Sequence, residues 1–289
     1  MPDAVGRMES GMVIGLSCVE SHVLSLLQEA GWDPACCYAG SLVSFDDLCA
    51  YFVVQNRPYA YFDLAVKAQD WLKSIGALTI SRLPPEEILE GLEGDGPCLL
   101  PLKTEAVRRL FGKTPWRPDH YLLARLQDDM VVLFDDIQPT PAKLGREELL
   151  GQLAGEGLRV GLLRPPDTEQ KAAFRGKLTS TARQLQAQYR DGLPPAAGTP
   201  GEPAGVRDML GMARVLSRRL VCLLESEGRR TDQLRRSIGE MDHMYARLQY
   251  ALRRARDATY FTEPALAQIY RLSRRLADAC AEDGERLSI

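Results

Sequence analysis

The chain has 289 residues, 45% of them apolar, and a formal net charge of -3. That length allows two domains or one large one, the apolar content suffices for a packed core, and the near-neutral charge supplies no general field for nucleic acid. Asp3, Arg7 and Glu9 stand where a secretory leader would be basic and then apolar, and Glu20 and His22 interrupt the apolar stretch 12–27. Neither a signal peptide nor a membrane span is therefore expected.

Residues 17–30 place Val19, Val23, Leu26, Leu27 and Ala30 at the spacing of a helix packed on a core, and Gly31 follows as a stop. Helical patterns recur over residues 44–54 and over residues 61–75, the latter ended by Gly76. Pro84-Pro85-Glu86-Glu87 opens a short fourth helix, the prolines suiting its first turn.

Beyond Gly96 the texture changes to strands. Cys98-Leu99-Leu100-Pro101-Leu102 is a short buried candidate, and residues 120–126 and Met130-Val131-Val132-Leu133-Phe134 are two stronger ones. Gln127-Asp128-Asp129 between them is short enough for a hairpin. Residues 158–163 form a fourth strand, ended by Pro165-Pro166. Helices first and an antiparallel sheet second imply an α+β domain over residues 1–166. From 167 to 289 the strands stop: a helix over residues 168–189, a Pro/Gly/Ala-rich loop to Gly205, and helices over 206–225, 229–255 and from Thr262 to about Cys280 make an all-helical second domain. Sixteen arginines after Gly205 against twelve acids make it locally basic. Such charges mostly decorate solvated helix faces; the functional alternative is a docking surface for an acidic partner.

The chain has seven cysteines, an odd number with no C-x-x-C pair, which read as reduced thiols in a cytoplasmic protein. Adjacent Cys36 and Cys37 are the nearest approach to a metal pair, but neighbouring side chains diverge and no His/Cys pair lies near, so no metal site is expected. Cys18 stands apart. Ser17-Cys18-Val19-Glu20 fits the S-x-x-E capping box, which puts Cys18 in the first helical turn, where free N–H groups and the helix dipole favour a thiolate. Cys49, Cys98, Cys222 and Cys280 lie within helices or a strand, where a cysteine is ordinarily a small buried hydrophobe.

A thiol nucleophile needs a base, and the chain has three histidines. His22, one turn after Cys18 on the same helix, suits a packing role; His243 lies in the helical domain, on a surface. His120 opens a strand, a rigid position suited to a general base. A third group should fix the imidazole through its other nitrogen. The hairpin returns through Phe134 to Asp135-Asp136, and either acid could orient His120; Asp135, leading directly off the strand, is preferred.

A helix-borne Cys followed by a hairpin from His to Asp is the order of papain-like thiol enzymes. The detailed texture resembles butirosin biosynthesis protein H and its relatives. It does so in Cys18-Val19-Glu20-Ser21 through Leu26-Leu27 to Gly31, in His120-Tyr121-Leu122-Leu123 through Asp128-Asp129 to Asp135, and in the tail, with Met244-Tyr245-Ala246-Arg247 and the helix after Pro264. The tail favours this family over bacteriocin-processing peptidases with similar thiol domains. The resemblance implies a papain-like catalytic domain followed by a helical one. It also implies transfer of an acyl or aminoacyl group from a carrier-protein phosphopantetheine thioester to an amine acceptor in natural-product biosynthesis. Cys18 takes the nucleophile position, His120 the base and Asp135 the orienting acid; the enzyme itself binds no cofactor, the phosphopantetheine arm arriving with an acidic carrier protein. Two features depart from the pattern: Asp135-Asp136 stands where the family usually has Asp-Pro, and residues 8–17 lack the Gln that papain-like enzymes often place before the Cys. A cysteine peptidase or thioesterase using the same triad, and a non-catalytic scaffold, are the alternatives.

Overall fold

The computed structural model describes residues 17–33, 38, 48–55, 68–74, 76–94, 96–112, 120–136, 138, 140–162, 169, 176, 202–226, 228, 230–254, 260 and 262–281. It is α+β, with helices and a six-stranded antiparallel sheet, and the chain divides into two compact units.

The sheet-bearing unit comprises Gly15–Pro34 and Gln69–Pro166. Its elements in chain order are α1 (Cys18–Glu29), α2 (Ala68–Ser74), β1 (Leu78–Leu83), a 3-10 turn (Pro85–Glu87) leading into α3 (Ile88–Glu93), β2 (Cys98–Pro101), α4 (Thr104–Phe111), β3 (Tyr121–Gln127), β4 (Met130–Phe134), β5 (Ala142–Gly145), α5 (Arg146–Gln152) and β6 (Gly157–Leu162). The strand order is β1-β6-β2-β3-β4-β5, with each neighbouring pair antiparallel. Residues alternate between faces along a strand. Leu122 and Ala124 of β3 and Val131 and Leu133 of β4 therefore share one face, where they join Ile88 and Leu92 of α3, Ala106 and Val107 of α4 and Leu149 of α5 in a single apolar cluster. α1 packs against β3 and β6 on the opposite face, where Arg125 of β3 is paired with Glu29 at the helix end.

The expected α1, β2, β3, β4 and β6 and the helical turn after Pro84 are all present, within a residue or two of the boundaries read from sequence. β1, β5, α4 and α5 were not anticipated, and β1 precedes the change of texture at Gly96, so helix and strand alternate more than helices first, sheet second implies. The expected helices over 44–54 and 61–75 are described only in part, as a π-helical turn (Ala50–Val54) and α2. The helix expected over 168–189 and the loop after it lie almost wholly outside the described residues, as do Cys36 and Cys37.

The second unit gathers α6 (Pro203–Ser226), α7 (Asp232–Arg253) and α8 (Thr262–Ala281), which pack on one another. Ala35–Ala68 also belongs to it, rather than to the first unit as a boundary at 166 would have it. The reason is packing: the π-helical turn, with Phe52 and Val53 buried, lies against α6, and the buried Arg219 guanidinium of α6 sits 5.0 Å from the Tyr38 ring centre. Several of the arginines that made this region look basic are engaged internally. Arg214 and Arg218 both hold Asp242, Arg235 holds Glu225, and Arg207 holds Asp208. Among the described residues, no helix is long and apolar enough to cross a membrane.

Candidate active site

The site lies within the sheet-bearing unit, where the N-terminal turn of α1 meets the start of β3 and the end of β4. Ser17 caps α1 as its sequence predicts: its backbone is extended (φ -143°, ψ 163°) and its hydroxyl accepts the Glu20 N–H at 3.2 Å. Cys18 is then the first helical residue. Gly31, with φ 85°, takes the left-handed conformation just past the helix end. Between these ends Val23, Leu24, Leu26 and Leu27 are buried, which fixes the rotation of α1 and so the direction in which Cys18 points.

The hairpin supplies the imidazole and the carboxylate. β3 and β4 pair with Gln127 opposite Met130, around a two-residue turn in which Asp128 has φ 54°, a conformation Asp tolerates. The register runs back to Leu123 opposite Phe134, so the residues just before β3 and just after β4 emerge side by side. His120 Nε2 donates to Asp135 Oδ2 at 3.0 Å, the two side chains being only 15% and 5% exposed. Asp135 Oδ1 accepts the Gln138 N–H at 3.0 Å, so both of its oxygens are held. Cys18 lies close enough to His120 to help raise the pKa of its ring. With Nε2 engaged by Asp135, Nδ1 is the ring nitrogen left for the thiol. Cys18 Sγ in turn accepts the backbone N–H of Tyr121 at 3.4 Å.

Burial alone would disfavour a charged His120 ring, but its hydrogen bond to the Asp135 carboxylate and the nearness of Cys18 outweigh it, and its pKa is pushed up to about 10. The ring is thus an imidazolium at neutral pH. Asp136, the next residue, stands beside His120 as a second acid, while the hydrogen bond to the ring is that of Asp135. Although Asp136 is exposed at its rim, protein atoms crowd its carboxyl and push its pKa up, against the pull of His120. Of the two adjacent acids, Asp135 is the one hydrogen-bonded to His120.

His22, read from sequence as a packing residue, is buried, and its Nε2 lies 3.2 Å from the Tyr121 carbonyl oxygen, to which it donates. Burial lowers its pKa to about 4, so this ring is neutral where its neighbour is charged. Sequence reasoning missed Ser21 and His22 as members of the site. The signal was present: they lie three and four residues after Cys18, hence on the same helix face. His243 is exposed on α7. Cys49 and Cys98 are buried, burial pushing the Cys98 thiol up, and Cys222 on α6 is half-buried.

His120, Asp135 and Asp136 offer three ligand atoms within 4.8 Å of one another. A cation held there would have to displace the proton that Asp135 holds on His120 Nε2, so the donor set suits a hydrogen-bonded His–Asp pair better than a metal. Chemically, the arrangement offers a sulfur nucleophile, a proton carrier beside it and a fixed anion behind the carrier. A scan against protein-family models finds no match, and a search of curated proteins finds no significant one.

Proposed function

We propose that this protein is a papain-like cysteine acyltransferase. It would move an acyl or aminoacyl group from a carrier-protein phosphopantetheine thioester, through a Cys18 acyl-enzyme, to an amine. The observation that carries the reading is the pairing of a helix-N-terminal Cys18 with a His120 whose other nitrogen is held by Asp135 at 3.0 Å. The carrier, the amine and the setting in natural-product biosynthesis come from the resemblance of the Cys18 helix, the His120 hairpin and the tail to butirosin biosynthesis protein H and its relatives.

With its pKa pushed up to about 10, His120 is a base strong enough to take the Cys18 proton and to hold it through the attack. The Cys18 thiolate attacks the thioester carbonyl, the C–S bond to pantetheine breaks, and the departing sulfur takes the proton from His120. The incoming amine then attacks the acyl-enzyme, neutral His120 takes its proton, and Cys18 leaves as thiolate. The ion pair is restored. Thioester exchange is nearly isoenergetic, so the site acts chiefly by positioning and by holding charge. The backbone N–H of Cys18, at the first position of α1, is one candidate donor to the tetrahedral oxyanion.

The test is incubation with a panel of aminoacyl N-acetylcysteamine thioesters and, in parallel, an acylated carrier protein, followed by intact-mass measurement. The wild type should gain the mass of the acyl group and Cys18→Ala should not. An adduct that persists in Cys18→Ala would remove Cys18 from the role. Adding an amine separates the transferase from a thioesterase or peptidase with the same residues: an amide product supports transfer, free acid alone supports hydrolysis.

A further inference from the structure

We propose that His22 is a positioning residue: its Nε2–H holds the Tyr121 carbonyl so that the N–H of the same residue stays on the Cys18 sulfur. The inference deepens the reading of Cys18 as a nucleophile and rests on it.

The argument starts from the hairpin. In an antiparallel pair, alternate residues exchange both their N–H and C=O with the partner strand, and a residue's two groups point the same way. A two-residue turn makes the flanking pair, Gln127 and Met130, one of these bonded pairs. Counting back by twos, Arg125, Leu123 and Tyr121 all aim their backbone groups toward β4. On the other side Tyr121 faces Pro101 of β2, a position that asks for no N–H, as a proline requires. β4, however, ends at Phe134, opposite Leu123, one bonded pair short of Tyr121. The chain leaves the ladder there, and Asp135 reaches His120.

On this side the Tyr121 backbone groups meet two side chains of α1. Cys18 Sγ accepts the N–H at 3.4 Å, and His22 Nε2 donates to the C=O at 3.2 Å. Four residues apart on one helix face, the two side chains imitate the acceptor and donor of a missing strand residue. A sulfur is a weak acceptor and holds a strand end poorly by itself. An imidazole N–H on the carbonyl supplies the second point of attachment, and two points fix the direction of the N–H. The charged groups facing His22 are His120 and Asp135; burial and the nearby imidazolium keep its ring neutral, which leaves one N–H, and the carbonyl determines that it is on Nε2. The tautomer is thus set by the backbone group it serves.

The experiment measures the rate of Cys18 alkylation by iodoacetamide against pH, site-resolved by peptide mass spectrometry, in full-length wild type, His22→Phe and His22→Gln. Phe keeps the ring without a donor; Gln keeps an N–H donor without the ring. In His22→Phe the rate at pH 7 should fall by on the order of tenfold, with the rising limb displaced to higher pH, because the sulfur loses an oriented N–H. His22→Gln should restore most of the rate and the position of that limb. A merely structural defect would scale the rate by the folded fraction, measured in parallel by circular dichroism, and leave the limb in place. Wild-type rate and limb in a folded His22→Phe would overturn the proposal. If His22→Phe does not fold, His22→Gln decides: a folded Gln variant as slow as a denatured thiol control overturns it, and near-wild-type behaviour supports it. Failure of the underlying reading looks different, because wild-type Cys18 would then react no faster than Cys49, Cys98 or Cys222.

Discussion

The Nε2 proton of His120 rests on Asp135 Oδ2, and what that carboxylate adds beyond orientation is charge. Asp135→Asn separates the two contributions, since an amide oxygen still accepts the hydrogen bond while the negative charge is gone. The imidazolium then loses part of what raises it to about 10. The alkaline limb of acyl transfer should move to lower pH, and transfer at pH 7.5 should fall on the order of tenfold to a hundredfold. Asp136→Asn touches no Nε2 proton, so transfer should change by no more than about twofold. Parallel pH–rate profiles of the two variants check both outcomes. A large loss in the Asp136 variant with none in the Asp135 variant would reverse the assignment of the orienting acid.

At the scale of elements, α1 is anchored and aimed by different residues. Each of Val23, Leu24, Leu26 and Leu27 contributes roughly 1.5–3 kcal/mol by burial, together several times the ~1 kcal/mol of a helix cap. Ser17→Ala should therefore leave α1 in place, lowering stability in urea denaturation by about 0.5–2 kcal/mol. Its first turn, however, frays, and Cys18 lies in that turn. Alkylation of Cys18 should slow by more than the folded fraction accounts for; an unchanged rate would show that the cap has no part in holding the sulfur. The same contrast explains what was legible beforehand. The cap, the helix stop at Gly31 and the strands of the hairpin are encoded locally, in a polar residue before an apolar period and in unbroken apolar runs, and all were readable. β1 was not, although Leu78 and Leu83 are buried, because its middle carries Thr79, Ser81 and Arg82 and its strand character comes from pairing with β6, some eighty residues away. β5, four residues long with Lys143 exposed, likewise takes its conformation from β4. The triad could be nominated because a hairpin brings its two ends together whatever surrounds it. For His22 the i, i+4 spacing from Cys18 gave the shared helix face but not the role, since which backbone group its ring meets follows from where β4 ends relative to Tyr121.

For the whole molecule, the two site histidines pull stability in opposite directions with pH. The folded pKa of His120, about 10, lies above the unfolded value of about 6.5, so the folded state binds the extra proton; its contribution is complete below about pH 6.5 and is lost as pH rises toward 10. The folded pKa of His22, about 4, lies below the unfolded value, so the unfolded state binds the extra proton; its contribution is complete above about pH 6.5 and is lost as pH falls toward 4. Both are complete together only near pH 6.5, and melting temperature measured across pH 4–10 should carry a maximum there from this pair. The limbs are separable by mutation. His120→Asn should flatten the alkaline side and leave the acid side, whereas His22→Gln should flatten the acid side and leave the alkaline one. If both variants flattened the same limb, one of the two protonation states would be wrongly assigned. An acid limb that survives in His22→Gln would mean that carboxylates elsewhere dominate it, and that the neutral ring beside Cys18 contributes little to holding the fold at low pH.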